Sequence, residues 1–97
     1  MSEDLHKALA ALKEKVGEDG IESSVRFAFS DLGALRLDAE GPRIDDGSPA
    51  DCTITATTET FRALFDGAIS PTGAFMSGKL RIEGDMGVAM KMASLLG

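Results

Sequence analysis

Residues 73–86 read Gly-Ala-Phe-Met-Ser-Gly-Lys-Leu-Arg-Ile-Glu-Gly-Asp-Met, GAFMSGKLRIEGDM in one-letter code, and two readings compete for them. Gly73 to Lys79 fits the phosphate-loop pattern G-x-x-x-x-G-K-[ST], in which backbone N–H groups wrap phosphates, a lysine reaches them and a hydroxyl holds magnesium. Leu80 stands where that hydroxyl belongs. Phe75 and Met76 occupy a loop interior that should be small enough for close backbone approach. The order is also reversed. A phosphate loop leaves a strand and opens a helix, whereas Lys79-Leu80-Arg81-Ile82-Glu83 alternates polar and apolar residues with strand period. The stretch therefore reads as a helix end, a corner at Gly78, a strand over 79–83 and a second corner at Gly84-Asp85. No nucleotide is expected.

Upstream, Leu5, Ala8, Leu9, Leu12 and Val16 recur at helical spacing, and Gly17 and Gly20 close that helix. Val25, Phe27 and Phe29 alternate with polar or small residues. After a turn at 31–33, so do Leu35, Leu37 and Ala39, which predicts two antiparallel strands. The segment 41–51 is rich in Pro, Gly, Asp and Ser, leaving Ile44 at the centre of a short strand at most. Cys52, Ile54 and Ala56 alternate with three threonines. Strands with one apolar face predict an antiparallel sheet covered by helices on one side only. Thr57 is placed to cap a helix carrying Phe61, Leu64, Phe65 and Ala68. Ser70-Pro71 opens a short helical segment through Phe75, and Asp85 caps a last helix.

The 97 residues form one domain, 1–97. A chain this short buries only about 60–70% of its unfolded surface, so a large cavity inside it needs a reason. The net charge of −6 argues against a nucleic-acid partner, whose footprint is basic. The acidity is uneven: residues 1–70 carry 7 basic and 14 acidic side chains, against Lys79, Arg81 and Lys91 with Glu83 and Asp85 in the remainder. Cys52 is the single cysteine, which fits a reducing compartment and a packed small hydrophobe. The opening MSEDLHKALAALKEKV lacks the positive start of a signal peptide, and Ser94-Leu95-Leu96-Gly97 does not match the peroxisomal S-K-L, so the expected location is cytoplasmic.

The final helix is apolar almost all round: Met86, Val88, Ala89, Met90, Met92, Ala93, Leu95 and Leu96. Such a helix must be buried on more than one side, by core, a dimer contact or an apolar ligand. Four of the five methionines fall between residues 76 and 92, and unbranched thioethers adapt to differently shaped partners. Catalytic machinery is not assembled. His6 is the only histidine and reads as solvated, while Asp45-Asp46 and Glu18-Asp19 sit in turn-like segments. No enzyme, metal site or cofactor is expected.

The run ADCTITATTETFRALFDGAISPTGAFMSGKLRIEGDMGVAMKM, residues 50–92, resembles the sterol carrier protein-2 family. The matching pieces are DCTI in a strand, F-x-x-L-x-x-G ending at Gly67, the central proline and FMSGKLRIEGDMGVAMKM. The resemblance implies an α+β domain whose five-stranded, mainly antiparallel sheet and helices enclose a hydrophobic tunnel for sterols, fatty acids, acyl-CoA or phospholipids. On that reading Phe61, Leu64, Phe65, Phe75, Met76, Leu80, Ile82, Met86 and Met90 line the tunnel, and Gly78 and Asp85 serve as corner and cap. The function implied is a small lipid carrier, with a lipid or fatty-acyl ligand as partner, transient membrane contact, and a monomer or weak dimer. Two rivals stand beside it: an accessory domain that presents an isoprenoid or acyl intermediate to a biosynthetic enzyme, and a ligand-free dimerisation module.

Overall fold

Alternation places Val25, Phe27 and Phe29 on one buried face of β1 (Val25–Phe29) and Arg26 on the other. β2 (Gly33–Asp38) pairs antiparallel with it, Phe27 opposite Leu35 and Val25 opposite Leu37. β3 (Gly41–Ile44) pairs with β2 and carries Pro42, which an edge strand tolerates because one side has no ladder to complete. β4 (Cys52–Ala56) and β5 (Arg81–Gly84) complete the order β3-β2-β1-β4-β5. The computed structural model describes residues 2–17 and 19–96; Glu18, read above as a turn carboxylate, and Gly97 of the terminal tetrapeptide lie outside them.

One pairing departs from the antiparallel expectation: β4 runs parallel to β1, Val25 beside Cys52 and Phe29 beside Ala56. The chain must therefore cross from the β3 edge over β2 and β1, about 14 Å at ordinary strand spacing. Residues 45–51 make that crossing on the polar face of the sheet, where arginines catch them. Arg36 is 3% exposed and donates to Asp45 Oδ1 at 2.9 Å, the Ser48 carbonyl at 3.0 Å and the Pro49 carbonyl at 3.1 Å. It also reaches Asp38 Oδ2 at 2.9 Å within its own strand. Arg26 bonds Asp45 and the Ser48 carbonyl, and Arg43 bonds Asp38 and Asp46. The polar face is thus not open to water, as one-sided cover predicts; the crossover segment covers part of it.

On the apolar face lie α1 (Ser2–Val16), with Leu12 fully buried, α2 (Thr58–Asp66) and α4 (Met86–Leu96). The aromatic centre joins sheet to α2: Phe61 stacks on Phe29 with ring centroids 4.4 Å apart and meets Phe27 edge-on at 5.9 Å. The caps fall where the sequence places them. Thr57 Oγ1 accepts from the Thr60 N–H at 3.2 Å, Ser70 Oγ from the Gly73 N–H at 3.0 Å, and Asp85 Oδ1 from the Gly87 N–H at 2.8 Å. β2 stops at Asp38, one residue short of Ala39, and β5 begins at Arg81, two residues after Lys79.

Candidate functional site: an apolar groove

The corner after α3 (Pro71–Met76) settles the reading of GAFMSGKL. The N–H groups that would cradle a phosphate are already engaged: Ser77 donates to the Gly73 carbonyl, Gly78 to Phe75 and Lys79 to Ala74, at 3.0, 3.1 and 2.9 Å. Gly78 takes a φ of 79°, a left-handed value that suits glycine at a helix end. Lys79 is exposed at the start of the strand connection.

α2, α3, β5 and α4 surround a groove of about 170 Å³. Its floor is Ile54 of β4, with Leu80 and Ile82 from the β5 strand and its approach. Phe61 and Leu64 of α2 form one wall, both core residues with at most 1% exposure. Pro71, Thr72 and Phe75 of α3 form a second, and Met86, Ala89, Met90, Ala93 and Leu96 of α4 a third. No lining side chain is charged, and the Thr72 hydroxyl is the sole polar side-chain group among them. Phe75, Met86 and Met90 make its lips, 45%, 49% and 70% exposed. What singles these three out is that they gather around one groove, since a contiguous apolar patch, unlike scattered apolar side chains, is of the kind that meets an apolar ligand, a partner or a membrane.

Seven of the nine residues named from sequence meet in this groove: Phe61, Leu64, Phe75, Leu80, Ile82, Met86 and Met90. Phe65 does not. It is 7% exposed and packs with Phe61 and Phe27 in the core, facing α1 instead. Met76 ends α3 pointing away, 81% exposed and outside the lining. It directly follows Phe75, and the roughly 100° of rotation per helical residue turns it from groove to solvent. Ile54, Pro71, Thr72, Ala89, Ala93 and Leu96 line the groove and were not named. Ala89 and Ala93 follow from Met86 and Met90 at an offset of three, and Leu96 from Ala93 by three more, the one signal that identifies them beforehand. The enclosed tunnel implied by the resemblance is here a groove open along its lips.

Electrostatics set this end apart. Among the described residues no cluster of three or more His, Cys, Asp or Glu is arranged to hold a metal. Burial, and then the carboxylates of Asp85 and Asp51, push the Cys52 thiol up, which keeps it protonated in the core. The Thr58 hydroxyl, with its backbone N–H, holds the Asp31 carboxyl below the usual range and ties the β1–β2 turn to the start of α2. No helix is long and apolar enough to cross a membrane among the described residues.

Fold and groove together define a small α+β domain, one mixed sheet with helices on one face, holding an uncharged cleft between α2, α3 and α4. The model of the SCP-2 sterol transfer family matches residues 2–97, and the chain belongs to that family. Sterol Carrier Protein 2 Like 2 of Aedes aegypti shares the fold with a TM-score of 0.76 at 17% identity, over 96% of each chain. A second Aedes aegypti structure, sterol carrier protein-2 in complex with palmitate, superposes with a TM-score of 0.73 at 14% identity, covering 94% of this chain and 92% of that one. Human hydroxysteroid dehydrogenase-like protein 2 is 39% identical over 101 residues, which takes in 99% of this chain and 22% of that protein. The chain thus spans about a fifth of the length of such relatives.

Proposed function

We propose that this domain carries the apolar tail of a lipid, a fatty acid, acyl-CoA, phospholipid or sterol, in the groove between α2, α3 and α4 without transforming it. The observation that carries the reading is the lining itself: apolar but for the Thr72 hydroxyl, with no buried charge to read a head group and no titratable group to act on one. The palmitate-bound mosquito relative supports a fatty acid as one ligand class. Burying about 300 Å² of tail at roughly 25 cal/mol per Å² supplies about 7–8 kcal/mol before ordering costs. The head group stays outside the lips, so selectivity among heads is weak. Transient contact with a membrane loads and unloads the tail, and the carrier acts as a monomer or weak dimer in the cytoplasm. Displacement of a fluorescent fatty acid by unlabelled ones tests this: affinity should rise with chain length by up to about 0.8 kcal/mol per buried methylene. Affinity flat across chain length contradicts it.

A second reading has its own support. The curated relative named above is several times longer than the matched region, so in that protein the domain accompanies other chain. A domain of this kind presents its tail-bound ligand, acyl or isoprenoid, to a partner enzyme. Recovery of a biosynthetic enzyme with the domain, dependent on an intact groove, would favour presentation over free transport.

A further inference from the structure

We propose that α4 slides sideways across the sheet to widen the groove, and that a second cleft on its opposite flank sets how wide a ligand the domain accepts. The inference rests on the carrier reading. The residues of α4 divide into three sets around the helix. Val88, Ala89, Met92 and Leu96 are buried. Met86, Met90 and Ala93 turn one flank to the groove, while Lys91, Ser94 and Leu95 turn the other to a cleft of about 480 Å³ whose far wall is the segment 20–23. The buried residues divide as well, Ala89 and Leu96 lining the groove and Val88 and Met92 the cleft, and at about 100° per residue the two full linings lie on nearly opposite sides of the helix.

The volumes are mismatched with the task. The groove is about 170 Å³, below the roughly 300 Å³ at which ligand pockets begin, and the cleft behind the helix is larger than the groove. A helix moved from groove toward cleft transfers volume from one side to the other, its buried residues Val88, Ala89, Met92 and Leu96 shifting over the core beneath. The far wall is fixed. Ile21 donates to the Asp38 carbonyl at 3.0 Å, and Gly20 lies so close to the Ala39 carbonyl that a Cβ there would collide with it. The N-terminal end of α4 is fixed too, because Asp85 donates to the Asp51 carbonyl at 2.8 Å and caps the helix. Gly84 beside it ends β5 opposite Cys52, so close to the Asp51 carbonyl that a Cβ there would collide with it, and it holds the same end in place. Motion therefore grows toward Ser94 and Leu95, and Met92, unbranched and at the core contact, repacks as the helix moves. A narrow saturated tail needs little of this travel; a rigid fused-ring sterol needs most of it.

The test fills the cleft and leaves the groove lining untouched. Ser23→Phe and Ser94→Phe, made singly, are compared with wild type for binding dodecanoate and cholesterol, with thermal melts confirming the fold. Wild type should bind both; each variant should keep dodecanoate within about twofold and weaken cholesterol at least tenfold. A wild type that takes dodecanoate and refuses cholesterol overturns the slide and leaves the carrier reading standing. So do folded variants that bind cholesterol as well as wild type, or that lose both ligands in step. A wild type that binds neither overturns the carrier reading, and the slide with it.

Discussion

The two sides of the sheet solve opposite problems. On the polar face, three arginines and the carboxylates of Asp38, Asp45 and Asp46 consume one another's charges and fasten the crossover 45–51 down. Beside the apolar face, Phe75, Met86 and Met90 are left without a partner of their own kind. The closed side holds the topology, and the unfinished side is where binding has something to gain. Satisfied polar interactions mark structure here, and the proposed function rests on the apolar side chains gathered around the groove.

Stability and binding should therefore separate by region. The largest effect belongs to Arg36→Met, which takes the buried cation from Asp38, Asp45 and the Ser48 and Pro49 carbonyls: about 3 kcal/mol of stability, or roughly 10–25 °C in melting temperature. The dependence of affinity on chain length should survive wherever the variant is folded. A variant that melts like wild type would mean that the crossover does not need its arginines.

Acid attacks the same face. The Arg43 guanidinium holds the Asp38 carboxyl below the usual carboxylate range, and the Ser48 hydroxyl and N–H, then Arg43, hold Asp46 lower still. Because these folded values lie below the unfolded value of about 4, their stabilisation is complete above that pH and drains away as pH falls through the folded values. Melting temperature should fall steeply below about pH 4 in wild type and less steeply in Asp46→Asn; parallel curves would remove Asp46 from the account.

On the unfinished side, Met90→Asp puts a carboxylate on the lip of the groove and should cost about tenfold in fatty-acid affinity, while Lys91→Asp, on the other flank of α4, should cost less than threefold. Because Met90 is 70% exposed, the penalty is smaller than for a fully enclosed position. Equal losses in two folded variants would reassign the groove face of the helix. Met76→Ser should change affinity less than twofold, since that side chain looks outward; a larger loss would extend the site around the end of α3.

Much of this was readable from residues. Strand alternation, the caps at Thr57, Ser70 and Asp85, and the corner at Gly78 are local, and local chemistry is what a sequence displays. The parallel β1–β4 pair is not local, because nothing in Cys52–Ala56 says which strand it joins. Arg36 sits at a polar position of an alternating strand and reads as solvated until the crossover is seen lying on it. In the groove, helix offsets from Met86 and Met90 lead to Ala89 and Ala93, whereas choosing Phe75 over Met76, or sending Phe65 to the core, requires knowing how α2 and α3 sit on the sheet.

The central claim, that the groove takes a lipid tail, is tested most directly by the melting temperature of delipidated protein as fatty acid is added. Ligand at about 100 times its dissociation constant adds about 2.7 kcal/mol to a folded state that alone binds it. For a domain near this size the predicted rise is about 10–20 °C, larger for longer chains and abolished with the groove. A melting temperature that stays put with fatty acid, phospholipid and sterol alike would contradict the claim.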